Sequence, residues 1–507
     1  MAARAGRRWT RARRAVQYAS LLAFLALFVA AARGGWPPAV VDVALRVDPL
    51  AMLAHLLASR VVLATSALAL IIVALTLLFG RAWCGWLCPL GTLIDICAPR
   101  RKPRPPDEHR APAETWRGIK HALLLAVLGA ALLGNLTLLI LDPLTLLFRA
   151  LVAGVWPALD RLVAAAETAL YAVPELRGAV ESFDAAARPA LFPVNPLYYR
   201  DAWLFVAVLA GVLALNWIVP RFWCRYLCPL GGLLGLLSKV AIVRRRVNMP
   251  ACNACGACAR VCPTATIRAI DHASDPGECT VCMECVAACP RGGNEFAAGL
   301  GPITWESYDP GRRQALLAIG AGLAGAAVLR SDMAAGRDHP HLLRPPGARE
   351  NALLDKCIRC GVCMRACPTG GLQPALAEAG LEGFWTPVLV PRLGYCDYSC
   401  NACGQACPVE AIPPLALDDK RTRVIGAAYI DQNRCLAWSD RTPCIVCEEM
   451  CPLPEKAIVL EPLPGASGEE LMAPRVIRER CIGCGICEYK CPVGGQAAIV
   501  VCTGRET

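Results

Sequence analysis

The residues in this sequence best suited to chemistry are its cysteines. Of the thirty, twenty-four fall into six groups of four, and proline follows the last cysteine of every group. Cys252, Cys255, Cys258, Cys262 and Cys279, Cys282, Cys285, Cys289 keep the spacing Cys-x2-Cys-x2-Cys-x3-Cys-Pro without deviation. So do Cys357, Cys360, Cys363, Cys367 and Cys481, Cys484, Cys487, Cys491. Two groups are stretched at their first step: Cys396, Cys400, Cys403, Cys407 by one residue, and Cys435, Cys444, Cys447, Cys451 to an eight-residue gap. Three thiolates two residues apart wrap a loop around one 4Fe-4S cubane. The fourth, set back and stiffened by proline, reaches a neighbouring cubane. This predicts Cys252, Cys255, Cys258 and Cys289 on one cluster, with Cys279, Cys282, Cys285 and Cys262 on the other. Structural zinc takes pairs of Cys-x2-Cys instead. In the C-terminal half the regular tetrads lie outermost, which suggests a nested exchange of fourth ligands, outer with outer and inner with inner. Sequential exchange is the alternative. Six closely strung clusters make an electron relay.

Four further cysteines stand in two related stretches, RAWCGWLCPLG (residues 81–91) and RFWCRYLCPLG (residues 221–231). Cys84 and Cys88, like Cys224 and Cys228, are four apart and share a face if a helix runs through them. If the two stretches pack symmetrically, the four thiols form one tetrathiolate site for a cluster or another soft metal. A reducible dithiol pair, or a plain docking contact, are the other readings. Asp48-Pro49-Leu50 and Asp142-Pro143-Leu144 repeat as well. A carboxylate there is a candidate catalytic proton acceptor, although Asp-Pro also simply caps a turn.

These motifs need elements to hold them. The chain has 507 residues, 56% of them hydrophobic, which is too apolar for an ordinary soluble protein. Four uncharged runs, Val16–Ala32, Val61–Gly80, Ala122–Leu141 and Ala202–Val219, approach the roughly 17–25 residues that span a bilayer. The net charge of +11 is concentrated in arginines beside these runs: Arg4 to Arg14, Arg100 to Arg104, and Arg244 to Arg246. That distribution fixes membrane orientation, not nucleic-acid binding. It puts the N-terminus and both Cys-x3-Cys-Pro motifs on the cytoplasmic side. Each half reads apolar run, Asp-Pro-Leu, loop, apolar run, Trp-Cys-x3-Cys-Pro-Leu-Gly. The offset is 94 at the aspartates and 140 at the cysteines, so the second loop is longer by 46 residues. Two copies in the same direction imply a pseudo-two-fold axis along the membrane normal. Later, Arg312 and Arg313 precede the apolar stretch Ala315–Leu329 in the manner of a twin-arginine export signal.

The expected architecture is an α-helical membrane bundle of four spans, with a fifth from the leader-like stretch, carrying bacterial ferredoxin-like α+β iron–sulfur domains. The expected boundaries are 1–240 for the membrane domain, 241–300 for a two-cluster ferredoxin domain, 311–330 for the leader, 331–350 for a linker and 351–507 for a four-cluster domain. No Cys-x2-Cys-His is present for c-type haem, and no G-x-G-x-x-G opens a helix after a strand.

In these motifs residues 1–300 resemble the NapH/MauN membrane ferredoxin-type family, and residues 311–502 resemble the NapG/MauM family. The resemblance implies a quinol dehydrogenase with six 4Fe-4S clusters in the bacterial inner membrane. The first ferredoxin domain would be cytoplasmic and the C-terminal domain periplasmic. It implies the quinol pool as electron source, and periplasmic cytochrome or reductase subunits, of the nitrate-reductase or methylamine-oxidising type, as partners. The fusion implies that the leader is retained as a span, and Ala315 replaces the bulky aromatic usual in such signals. An assembly or redox-sensing factor for respiratory oxidases, and a cytoplasmic electron donor, are the rival functions.

Overall fold

The computed structural model describes residues 2–32, 37–99, 114–192, 196–268, 272–299, 312–330, 339–464 and 470–503. The basic cluster Arg100, Arg101, Lys102 and Arg104 lies outside the described residues, as do linker positions 331–338. The chain divides into two compact units that interleave along the sequence. One comprises Met1–Phe28, Val43–Leu147 and Val206–Ala327, and the other Val29–Asp42, Phe148–Phe205 and Val328–Thr507.

In the first unit the two sequence repeats build matching helix starts. Asp48 precedes the helix Pro49–Ser59 and accepts hydrogen bonds from the amides of Leu50 (2.9 Å) and Ala51 (3.2 Å). Asp142 precedes Pro143–Ala150 and accepts from Leu144 (3.1 Å) and Thr145 (3.0 Å). A carboxylate satisfying the free amides of a first turn, with proline where no amide is needed, is a strong start signal. Helix Gly118–Leu132 lies at the centre, packed by Pro49–Ser59 and Pro229–Ser238. Helix Arg312–Arg330 approaches it closely: a Cβ on Gly322 would sit 2.7 Å from the Ala126 backbone.

The expected spans are corrected here. Among the described residues, one helix is long and apolar enough to cross a membrane, the segment Gly6–Ala30 near the N-terminus. The other apolar runs are broken. Val61–Gly80 becomes a 3-10 turn Ala64–Leu68 followed by helix Ala69–Phe79. Ala122–Leu141 stops after Leu132 at Gly134 (φ +76°), and Asn135 then captures the Thr137 amide to start a 3-10 turn. Ala202–Val219 gives helix Ala202–Ala214 and a 3-10 turn. There Asn216 donates to Ile94 O (2.8 Å) and accepts from Arg221 N (2.6 Å). A helix of 15 residues covers about 22 Å, short of a hydrocarbon core of roughly 30 Å.

The first ferredoxin segment is closed by an antiparallel pair, Val243–Val247 with Asn294–Ala298, in the register Val243 opposite Ala298. In the second unit the tetrads are held between small antiparallel pairs. These are Leu372–Pro374 with Pro387–Leu389, Ala427–Ile430 with Ile499–Cys502, and Ile458–Pro464 with Glu470–Val476. Residues 148–205 pack on this C-terminal block. Tyr199 Oη donates to Met364 O (3.1 Å), Arg200 pairs with Glu378, and Phe205 stacks near Trp385 with ring centres 4.9 Å apart.

Candidate iron–sulfur centres

The four regular tetrads share one backbone device. In each, the residues on both sides of the second cysteine are left-handed: Ala254 and Gly256, Val281 and Met283, Arg359 and Gly361, Gly483 and Gly485, with φ between 52° and 84°. For a β-branched residue such as Val281 this is strained, and such strain collects at functional sites. The twist reverses the chain around the second sulfur and turns loop amides inward. Cysteine sulfurs receive those amides elsewhere too, as when Gly293 N donates to Cys289 Sγ (3.2 Å) and Ala402 N to Cys400 Sγ (3.5 Å). Among the described residues no three His, Cys, Asp or Glu groups are gathered tightly enough to hold a single ion. Four thiolates on one zinc would sit about 3.8 Å apart, from Zn–S bonds of about 2.3 Å, whereas a cubane spreads them wider. The donor set and its spacing fit 4Fe-4S groups.

The fold also brings fourth ligands together. Cys262 acts electrostatically on Cys279, Cys282 and Cys285, which burial pushes up, the first two to about 12 and 11. In the C-terminal block Cys407 faces Cys357, Cys360 and Cys363. Cys367 joins Cys396, Cys400 and Cys403, and these four line one cavity. Cys491 lines a second cavity with Cys435, Cys444 and Cys447, while Cys451 lies by Cys484. The exchange is therefore sequential, and the nested arrangement is not the one adopted. The physical reason is local: helices Val362–Ala366 and Ala402–Gln405 pack together, as do Val446–Glu449 and Ile486–Lys490.

The two Cys-x3-Cys-Pro stretches fold alike. Each passes through a π-helical turn, Trp83–Leu87 or Trp223–Leu227, closed by Cys88 N to Trp83 O and Cys228 N to Trp223 O, both 2.9 Å. The second cysteine then caps a helix beginning at proline, its sulfur taking the amide of Gly91 (3.4 Å) or Gly231 (3.2 Å). The pairs converge. Burial first, then the neighbouring cysteine of the same repeat and after it Cys224 or Cys84 of the opposite one, push Cys88 and Cys228 up; burial carries Cys224 to about 11 against the pull of Arg221. Sequence reasoning missed the ions around them, although both stretches begin with arginine. Arg81 (1% exposed) binds Gly277 O (2.9 Å) and Glu278 (3.2 Å), and Lys120 also pairs with Glu278. Arg221 (2% exposed) chelates Asp95 at 2.8 and 2.6 Å, with Arg13 nearby. Burial raises the Glu278 carboxyl, but Lys120 and Arg81 outweigh it and hold it low; burial drops Lys120 to about 8.

The ferredoxin loop sits directly on the first stretch. Trp86 Nε1 donates to Val281 O (2.9 Å), and a Cβ on Gly85 would fall 2.0 Å from Thr280 O. Where repeat one has Gly85, repeat two has the buried Arg225. Away from the thiols, Asp48 and Asp142 are both buried and lie within electrostatic reach of each other. The remaining oxygens, Asp48 Oδ2 and Asp142 Oδ1, find no donor among the described residues. The sequence offered the aspartates as repeats; it did not show that they lie close together.

Comparison with known proteins agrees with this chemistry. A 4Fe-4S binding domain model matches residues 61–106 and 201–250, a 4Fe-4S dicluster domain model residues 271–368, and a further 4Fe-4S binding domain model residues 474–495. The dicluster match spans two tetrads that the fold places in separate units. The methylamine utilization ferredoxin-type protein MauM of Methylorubrum extorquens is 37% identical over 183 residues, 35% of this chain and 80% of that protein. The ferredoxin-type protein NapG of Escherichia coli is 37% identical over 169 residues, 31% of this chain and 69% of its own length. NapG of Haemophilus influenzae is 35% identical over 188 residues, covering 36% and 66%. No solved structure matches. Through the third of its length that these relatives share, the chain belongs to the MauM/NapG family of ferredoxin-type proteins and is an iron–sulfur electron-transfer protein.

Proposed function

We propose that the protein is the quinol-dehydrogenase component of a respiratory chain, anchored in the inner membrane, that delivers electrons to a periplasmic reductase system of the nitrate-reductase type. Quinol gives up two electrons and two protons on oxidation. The six tetrads, loaded as 4Fe-4S clusters, supply one-electron carriers. The chain's own part is to hold them in order, exclude water and offer a proton acceptor, for which the Asp48–Asp142 pair is the candidate.

The observation that carries this reading is the composition of the two units. Residues 148–205, which join the third and fourth apolar runs, share a unit with the C-terminal tetrads. Both Cys-x3-Cys-Pro stretches share the other unit with the first ferredoxin segment. Each ferredoxin block is thus built together with its own part of the apolar chain, as a membrane-anchored relay requires. The relationship to MauM and NapG supports the electron-transfer role.

Cys84, Cys88, Cys224 and Cys228 are assigned to a further metal centre within this relay. Four buried cations, Arg13, Arg81, Lys120 and Arg221, face three acids, Asp95, Glu278 and Glu284. Neutral thiols would leave the surplus positive charge uncompensated, whereas a tetrathiolate cluster carries net negative charge. Buried charges persist only when paired.

The test is anaerobic purification in detergent followed by addition of menaquinol. Rapid appearance of reduced-cluster signals in electron paramagnetic resonance is expected; clusters reducible by dithionite but inert to quinol overturn the reading. An export-dependent reporter fused after Thr507 should be active, and activity of a cytoplasmic reporter there overturns the periplasmic assignment.

A further inference from the structure

We infer that the four C-terminal ligand sets form a single unbranched row, entered at the Cys357/Cys360/Cys363/Cys407 set and left at the Cys435/Cys444/Cys447/Cys491 set. This deepens the relay reading above and rests on it. The row does not follow the order of the tetrads along the chain, since the last two change places.

The first junction is the ligand exchange itself. Cys363 and Cys403 lie within electrostatic reach, and helices Val362–Ala366 and Ala402–Gln405 pack together. The second junction crosses between pairs. Cys396 N donates to Cys484 O at 2.8 Å, the rings of Tyr395 and Tyr489 lie 5.4 Å apart, and a Cβ on Gly485 would fall 2.7 Å from Pro391. The Cys396/Cys400/Cys403/Cys367 set thus neighbours the Cys481/Cys484/Cys487/Cys451 set. The third junction is the second exchange, where Cys447 reaches Cys487 and Val446–Glu449 packs on Ile486–Lys490.

The ends of the row differ in surroundings. At the first set, Arg149 Nη1 donates to Arg359 O (2.9 Å), between Cys357 and Cys360, and Tyr199 donates to Met364 O beside Cys363. Arg365 lies over the ring of Trp156 at 5.4 Å. This end is therefore covered by residues 148–205, the segment joining the third and fourth apolar runs. At the last set, Cys444 closes the eight-residue gap after Cys435 and is flanked by exposed Arg441, Thr442, Pro443 and Ile445. Cys435, the first ligand of that set, stays buried, and the long gap that follows it brings the second, half-buried Cys444, out beside this open loop. That makes it the set a soluble one-electron acceptor approaches most closely.

The test reads how far reduction travels in the full-length protein. Single substitutions Cys360→Ala, Cys400→Ala, Cys484→Ala and Cys444→Ala each remove one set, with iron analysis confirming loss of about four irons. Menaquinol should then reduce none, one, two or three of the C-terminal centres in that order, counted as spins per chain, while dithionite reduces all that remain. Any other order of stranding overturns the row. Spin–spin broadening in dithionite-reduced protein reads the same order without quinol: Cys444→Ala should sharpen one remaining signal and Cys400→Ala two. Quinol inertness with the predicted sharpening sinks the quinol reading alone, whereas sharpening of the wrong centres sinks the row. Where an alanine variant fails to fold, the serine variant at the same position is measured.

Discussion

Arg81 and Arg221 each reach across the repeat to the other copy's first cysteine. Arg81 donates to Cys224 O at 3.4 Å, and Arg221 donates to Cys84 O at 3.5 Å. The duplication legible in the sequence is thus a duplication in space, with the four thiols inside the crossing. Their partners are not equal. Glu278, on Arg81, is almost fully buried, whereas the Asp95 side chain is 24% exposed and also meets Arg13 and Gln17. Removing one member of a buried pair costs about 3–5 kcal/mol, and a half-open partner is rescued by water. Arg81→Met should therefore lower the thermal midpoint in detergent more than Arg221→Met. Equal shifts would show that Glu278 is carried by Lys120 alone.

A second expectation concerns the close approach of Gly85 in the first stretch to Thr280 of the ferredoxin loop. Gly85→Ala forces a methyl to within 2.0 Å of Thr280 O, so the loop bearing Cys279 and Cys282 must move. The variant should lose iron and alter the signal of that centre. Gly178→Ala is the control, since nothing lies within 4 Å of the added methyl and the residue is helical. It should leave iron unchanged and add up to about 1 kcal/mol of stability. Iron analysis with melting curves separates them, and full iron retention in Gly85→Ala counts against the docking contact.

What the sequence made legible follows a physical division. Ligand spacing is local, so the tetrads could be read directly, and Val281 and Met283 then take the backbone that the spacing demands. Which tetrads exchange ligands is decided by helix packing between segments, and Cys-Pro carries no trace of it. The apolar runs were visible, but their helical length was not, because Asn135 and Asn216 divert the backbone with side-chain hydrogen bonds that hydropathy ignores. The ions were missed for the opposite reason. Arg81, Arg221 and Glu278 look like ordinary loop charges, and only the fold buries them.

A third prediction tests how residues 148–205 hold the C-terminal block. Arg149, 2% exposed, donates to Arg359 O and lies over the Trp385 ring at 4.1 Å. A desolvated cation–π contact contributes about 2 kcal/mol, and lysine cannot reproduce a flat guanidinium on a ring. Arg149→Lys should therefore speed hydrogen exchange at Arg359 and Cys360 while leaving Gly293 and Asn294 unchanged. Uniform acceleration at all four positions would mean global destabilisation.

The last prediction concerns the buried pair Asp48 and Asp142. Burial, then the charge of Asp142, raises Asp48 well above its ordinary value. Burial raises Asp142 too, while the amides of Thr145 and Leu144 pull it back. Burial thus holds both carboxyls above their ordinary value. A folded-state value above the unfolded one means that the stabilisation is complete below about pH 3.9, the unfolded carboxylate value. It is lost as pH rises through the raised value. Asparagine caps a helix as well as aspartate does, and it offers an N–H that cannot be titrated away. Asp48→Asn should thus keep the fold and flatten the fall of the melting temperature with rising pH. Asp48→Ala should cost about 1 kcal/mol through the lost cap. If the pair takes a proton from quinol, Asp48→Asn also slows quinol-driven reduction while dithionite reduction is untouched. A flattened pH profile with unchanged quinol kinetics would leave the pair as a clasp between the repeats and remove it from the chemistry.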